Sequence, residues 1–206
     1  MIANLVTLVR IPILAVAVLL LYRPEPAPRY LGTSLILLAL LLDTVDGIIA
    51  RRMNQTSMLG SILDIAADRA LELVLWIVFA DLGLIPLIVP LIVVTRGVFV
   101  DAFRAAAPAY GIAPFDLMRS RLGRFLVKSS WLRMSYSITK ITAFFLLALQ
   151  HSLTVSTAHL PDGLRIAGQV ATWSAVGLCL VRGIPVLVEA PRVLFSTVTS
   201  EKGSTT

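Results

Sequence analysis

Four aspartates fall inside two stretches apolar enough to belong in a membrane, Asp43 and Asp46 in the first and Asp64 and Asp68 in the second. The chain reads Asp43-Thr-Val-Asp46-Gly47-Ile-Ile-Ala50-Arg51, and further on Gly60-Ser-Ile-Leu-Asp64-Ile-Ala-Ala-Asp68. Separations of three and four residues put each pair on one face of a helix. A carboxylate at membrane depth costs roughly 2.5–3.5 kcal/mol on insertion scales, so it marks a functional site by default. Four in one small site cannot all stay ionised without counter-charge. Divalent cations supply it, and hard ions such as Mg²⁺ prefer carboxylate oxygen. A metal site is the economical reading.

The small residues beside the aspartates fit a bulky ligand. Gly47 and Gly60 have no side chain, so a ligand can approach the helix backbone there, and Ala50 keeps the same face shallow. Close helix–helix packing explains such residues equally well when they stand alone. Flanked by four carboxylates, they read as part of a site. Arg51 falls at the boundary of the apolar run, where it can meet phosphate oxygens or snorkel to the interface.

The elements that position these residues are membrane spans. Of 206 residues, 57% are hydrophobic and only 15% are charged, and the mean hydropathy is +0.88. A soluble domain of this size does not carry so much apolar surface. Apolar runs predict six spans, roughly 3–22, 31–50, 58–80, 83–104, 134–154 and 164–189. Pro24, Pro26 and Pro28 break the first connection, Gly83 and Pro86 mark the third, and Pro191 is expected to close the last span. The first run lacks the basic start of a cleavable signal peptide and is read as a span. The fold class is therefore all-α, an integral membrane bundle of six helices. Residues 1–190 form one domain and 191–206 a short tail. From Pro114 to Met134, Phe115, Met118, Leu122, Phe125 and Leu126 recur at helical spacing among Arg119, Arg121, Arg124 and Lys128. That pattern predicts an additional amphipathic helix lying in the interface with membrane lipids.

Charge placement sets the orientation. With six spans, Arg51, Arg52, Arg104, Arg119, Arg121, Arg124, Lys128, Arg133, Arg192 and Lys202 share one face with both termini. The opposite face holds Arg23, Arg29 and Arg165. The positive-inside rule places the termini, and the mouth of the aspartate site, in the cytoplasm, with the protein in the cytoplasmic membrane. The net charge of +6 is thereby accounted for without a nucleic-acid partner. Cys179 lies in an apolar run and can make no intrachain disulfide, and His151 and His159 share no ligand spacing with it.

The run from Asp43 to Asp68 resembles the signature of the CDP-alcohol phosphotransferase (CDP-alcohol phosphatidyltransferase) family, D-x2-D-G-x2-A-R-x8-G-x3-D-x3-D, at every specified position. Asn4-Leu-Val-Thr7-Leu-Val-Arg10 is similar to the family's opening N-x-x-T-x-x-R. The resemblance implies a membrane enzyme of phospholipid synthesis that moves a phosphatidyl group from CDP-diacylglycerol to a small polar alcohol, releasing CMP. It implies two divalent ions, Mg²⁺ or Mn²⁺, held by Asp43, Asp46, Asp64 and Asp68, with Asp68 also the general base. Gly47, Ala50, Arg51, Gly60 and Thr7 would border the CDP-lipid, and a homodimer is expected.

Acceptor contacts come from later in the chain. Thr95-Arg96 through Arg104 resembles the corresponding stretch of phosphatidylglycerophosphate synthases, and Lys140 falls where those enzymes carry a lysine. Arg96, Arg104 and Lys140 suit a phosphorylated acceptor such as glycerol 3-phosphate. Each could instead close a structural ion pair, for instance with Asp101 or Glu72. Arg182, followed by Gly183 and Pro185, is a further acceptor contact or the neighbour of a helix kink. Tyr136-Ser-Ile stands where a glycine-lysine pairing is usual, so inositol phosphate, serine or another alcohol stays open as acceptor. A cation transporter is the reading from another class. It would spread its acidic residues along a path through the midplane, whereas here they crowd the ends of two spans.

Overall fold

In the computed structural model, which describes residues 2–53, 58–110, 112, 117–118, 120–156 and 161–203, every element is helical and no strand occurs among the described residues. The helices are α1 (Ile2–Leu21), α2 (Pro26–Met53), α3 (Met58–Asp81), α4 (Ile88–Ala106), α5 (Arg121–Lys128), α6 (Ser130–Ser156) and α7 (Asp162–Gly203), with a 3-10 turn at Ala107–Tyr110. The expected spans correspond to α1–α4, α6 and α7. Among the described residues, two helices hold a window long and apolar enough to cross a membrane, Ser130–Val155 and Asp162–Leu194, and Val9–Leu21 and Pro26–Leu42 are further apolar segments.

Local chemistry sets the boundaries. Pro26 and Pro28 sit in the first turn of α2, where a missing N–H costs nothing. α3 stops at a Schellman motif: Gly83, at φ 69°, donates to Ala80 O at 3.0 Å, and Leu84 donates to Phe79 O at 3.0 Å. With Pro86 following, α4 begins at Ile88 rather than near residue 83.

Two expectations are corrected. The amphipathic helix does not extend from 114 to 134. It is the eight residues of α5, capped at the front by Ser120, whose Oγ accepts from Gly123 N at 2.9 Å, and ended at Ser129. Met118, assigned to its apolar stripe, is instead buried ahead of it, while Phe115 and Arg119 lie outside the described residues. Nor does Pro191 close the last helix. α7 continues through Pro185 and Pro191 to Gly203. Val186, Ala190 and Val193 are buried on both sides of the second proline, and that packing holds the helix across the lost hydrogen bond.

The chain divides into two compact units, 1–90 with 140–172, and 91–139 with 173–206. In the first, Gly32 brings α2 against α1 so closely that a Cβ there would stand 2.8 Å from Ala17 O. Trp76 and Phe79 of α3 pack on Phe144 of α6, with ring centroids 4.7 and 5.9 Å apart. Buried polar side chains tie the same helices: Thr33 Oγ1 donates to Ala148 O at 3.1 Å, and His151 Nε2 lies 3.0 Å from Leu21 O. Gln150 of α6 donates to Leu164 O at 2.8 Å, in space that only Gly168 leaves open. In the second unit, Val100, Leu117, Met118, Val127, Val186, Ala190 and Val193 form the core.

Large apolar side chains are exposed on all six long helices, among them Val16 and Leu19 on α1, Leu31 and Leu38 on α2, Ile65 and Ile77 on α3, Leu91 and Phe99 on α4, Trp131 and Ile138 on α6, and Ile166 and Ile184 on α7. Scattered single residues of this kind are ordinary in soluble proteins. Their recurrence along every long helix is not.

Candidate active site

Helix α2 runs unbroken through Asp43, Asp46, Gly47, Ala50 and Arg51, and α3 through Gly60, Asp64 and Asp68. The helical spacing that pairs the aspartates on one face is therefore present in both helices. The side chains of Thr7, Asp43, Asp46, Gly47, Ala50, Arg51, Gly60 and Asp64 lie outside the described residues. Among the described residues no cluster of three or more metal-binding side chains occurs.

Asp68 is described, and it heads an ion-pair network within the first unit. Lys140 of α6 places Nζ 3.5 Å from Asp68 Oδ1 and 3.3 Å from Glu72 Oε2. Arg69 Nη1 lies 3.4 Å from the same Glu72 oxygen. Glu72 is 1% exposed, whereas the Asp68 side chain is 39% exposed. The network therefore grades from a buried carboxylate to an accessible one. A lone buried glutamate would be strongly destabilising, so Lys140 and Arg69 are what permit Glu72 at this depth. The aromatic contact fixes the register. Trp76 follows Glu72 by one turn and Phe144 follows Lys140 by one turn, so the packed rings bring the charged pair together above them. Lys140 thus closes the ion pair with Glu72 that the sequence allowed beside an acceptor contact.

The second unit gathers arginines. Arg96 on α4 is 7% exposed, and among the described residues its Nε has no hydrogen-bond partner; Arg182 Nε on α7 is buried and has none there either. The Arg182 guanidinium lies 5.8 Å from the Tyr136 ring centroid, and Arg96, Arg104 and Arg133 all act electrostatically on it. Gly183 makes room for Arg96: a Cβ there would stand 2.4 Å from Arg96 Nε and 2.6 Å from its Cγ. Buried guanidinium donors with no partner among the described residues, set beside further arginines, are chemically able to take an anion. Arg96, Arg104 and Arg182 were legible as candidates. Arg133 and Tyr136 were not, although their spacing of three on α6 puts them on one face.

The profile of the CDP-alcohol phosphatidyltransferase family matches residues 1–181, from the first helix to the residue before Arg182. The chain belongs to that family. Among curated relatives, the CDP-diacylglycerol--glycerol-3-phosphate 3-phosphatidyltransferase of Rickettsia bellii is 40% identical over 68 residues, 33% of this chain and 38% of the relative. The protein of that name from Pseudomonas fluorescens is 30% identical over 105 residues, 50% of this chain and 54% of the relative. The alignments thus span about half or less of the length of the curated relatives. The eight specified positions of the family signature, Asp43 to Asp68, lie within the matched region, as do Thr7, Arg96, Arg104 and Lys140.

Proposed function

We propose that this chain transfers a phosphatidyl group from CDP-diacylglycerol to glycerol 3-phosphate and releases CMP. The observation that carries the reading is the complete four-aspartate signature, set on two continuous helices of a chain belonging to the family. The relatives from Rickettsia and Pseudomonas bear glycerol 3-phosphate in their names, which favours that acceptor over inositol phosphate or serine. The arginines of the second unit, with the buried Nε atoms of Arg96 and Arg182 open to an acceptor, suit its phosphate.

The donor set fits a divalent metal. Four carboxylates at helical spacing are hard oxygen ligands, which Mg²⁺ and Mn²⁺ favour. Asp43, Asp46, Asp64 and Asp68 would hold two ions, which when bound neutralise the pyrophosphate and stabilise the charge that develops on the leaving phosphate. The chain's own residues do the rest. Gly47, Gly60 and Ala50 leave the helix faces open to the CDP-lipid, with Arg51 and Thr7 at its border. Asp68 takes the proton of the acceptor hydroxyl as its oxygen bonds to the phosphatidyl phosphorus and the bond from that phosphorus to CMP breaks. Arg96, Arg104 and Arg182 hold the acceptor phosphate, and Lys140, through Asp68 and Glu72, sets the position of the base.

The location follows from the same residues. Six spans, α1–α4, α6 and α7, are supported by the exposed apolar side chains on each, with termini and site cytoplasmic by the distribution of arginine and lysine. Residues 1–190 then carry the transferase domain, and a homodimer is the assembly expected.

The experiment is direct. Purified protein in phosphatidylcholine vesicles is given CDP-diacylglycerol, Mg²⁺ and a panel of alcohols, and CMP is measured. Release with glycerol 3-phosphate, abolished by chelator and restored by Mg²⁺ or Mn²⁺, is expected. Release only with inositol phosphate or serine would move the acceptor, and full turnover in excess chelator would remove the metal mechanism.

A further inference from the structure

The arginines of the second unit pose a problem of position as well as of charge. Arg182 has a long, rotamer-rich side chain, and Arg96, Arg104 and Arg133 each repel its charge. Arg96 comes close to it on α7, where its side chain takes the space over Gly183, the next residue along. Repulsion of this kind drives a flexible cation away from its neighbours and toward water. Tyr136 of α6 supplies an attraction in the opposite sense. The Arg182 guanidinium carbon lies 5.8 Å from the centroid of its ring, inside the range of about 6 Å for a cation over an aromatic face. Tyr136 is 7% exposed, so the contact is largely screened from water, which strengthens it.

The first unit holds its cations in another way. Lys140 and Arg69 lie there against the carboxylates of Asp68 and Glu72, at 3.3 to 3.5 Å. A carboxylate beside Arg182 would hold it too, but it would occupy the N–H fork that a phosphate needs and cancel the charge that attracts one. An aromatic ring attracts the cation through its π-face and takes up none of that fork. The N–H groups at the guanidinium edge are thereby left for a ligand, and among the described residues the buried Nε of Arg182 has no hydrogen-bond partner.

We propose that Tyr136 is a positioning residue for the acceptor, its ring holding the Arg182 guanidinium ready for a phosphate monoester without neutralising it. Ordering the side chain in advance removes an entropic cost from binding, so the ring acts on acceptor affinity and not on the transfer step. The inference rests on the reading of Arg96, Arg104 and Arg182 as the site of the acceptor's phosphate.

The test compares Tyr136→Phe, which keeps the ring, with Tyr136→Leu, which keeps apolar bulk and removes the π-face. Tyr136→Met, flexible enough to fill the same space, is carried beside them so that a ring-free chain that folds is in hand. Inorganic phosphate is titrated into the full chain in detergent, against sodium chloride of equal ionic strength, and the rise in unfolding temperature reads binding. The Kd for phosphate should stay as it is in Tyr136→Phe and rise about three- to tenfold in the ring-free variants. In vesicles with CDP-diacylglycerol and Mg²⁺, their KM for glycerol 3-phosphate should rise by a similar factor, with kcat and the KM for CDP-diacylglycerol little changed. In an Arg182→Gln background, Tyr136→Leu should add no further loss, because the ring acts through that guanidinium. Equal losses in Tyr136→Phe and Tyr136→Leu would assign the effect to the hydroxyl and overturn the proposal. So would an unchanged phosphate affinity in the ring-free variants, a further loss on top of Arg182→Gln, or no binding of phosphate by the unaltered chain. The two readings fail separately. Ring-dependent phosphate binding without CMP release from glycerol 3-phosphate would remove the acceptor and keep the positioning of Arg182, and CMP release with ring-independent binding would do the reverse.

Discussion

At the scale of single residues, the proposed chemistry turns on Asp68, and its surroundings separate catalysis from architecture. Asp68→Asn keeps the size of the side chain and removes its charge and basicity. Turnover is expected to fall by roughly 10²–10⁴ while CDP-diacylglycerol still binds, measured as CMP release against lipid binding. Near-normal turnover would dismiss Asp68 as the base. Glu72 makes a different prediction, because it is buried with two cations and reaches no exposed surface. Glu72→Ala takes the 3.3 Å carboxylate away from buried Lys140, so stability should drop by about 3 kcal/mol or more. Adding Lys140→Met removes the stranded charge and should recover a large part of that loss. A double-mutant cycle on unfolding in detergent reads the coupling. Additive losses would mean that the 3.3 Å contact contributes little.

At the scale of elements, Gly183 couples a helix face to a functional side chain. Alanine is the better helix former, so Gly183→Ala should not weaken α7 itself. Its methyl group would nevertheless displace Arg96, whose Nε and Cγ occupy that space. The expected result is a several-fold rise in KM for glycerol 3-phosphate with kcat little changed and stability retained. An unchanged KM would separate Arg96 from the acceptor. The elements also show what the sequence could convey. Six apolar runs became six long helices because hydropathy and proline breaks act locally, and the Gly83 turn was visible in the glycine itself. The extent of α5 was misread because the periodic apolar residues extended past Ser120 and Ser129, whose capping hydrogen bonds are stronger boundary signals than the pattern. Pro191 was misread for the converse reason: burial of Ala190 and Val193 against residues distant in sequence keeps the helix going. The site divides in the same way. The aspartate spacing is a property of one segment, whereas the Lys140–Glu72 pair needs residues 68 positions apart, and Arg133 gains meaning only beside Arg182.

At the scale of the whole molecule, hydropathy and charge make one joint prediction that neither makes alone. A helix needs about 20 apolar residues to cross the hydrocarbon core. α6 and α7 meet that by composition, while α2 carries its carboxylates and arginines at one end. A segment that ends in Asp43, Asp46, Arg51 and Arg52 spans only if those charges emerge on the side that supplies a soluble acceptor. If they do, residue 56 and residue 200 share the cytoplasm, and residue 27 faces the other way. The check is a set of single substitutions in a Cys179→Ala background: Thr56→Cys, Ser200→Cys and Ala27→Cys, probed in intact cells with a membrane-impermeant thiol reagent. Ala27→Cys should label, while Thr56→Cys and Ser200→Cys should label only after lysis. Labelling of Thr56→Cys from outside would put the aspartate helices' mouth on the far side from cytoplasmic glycerol 3-phosphate. Labelling of Ser200→Cys alone would instead mean an odd number of crossings between residues 56 and 200, and would take one of α3, α4, α6 or α7 out of the membrane.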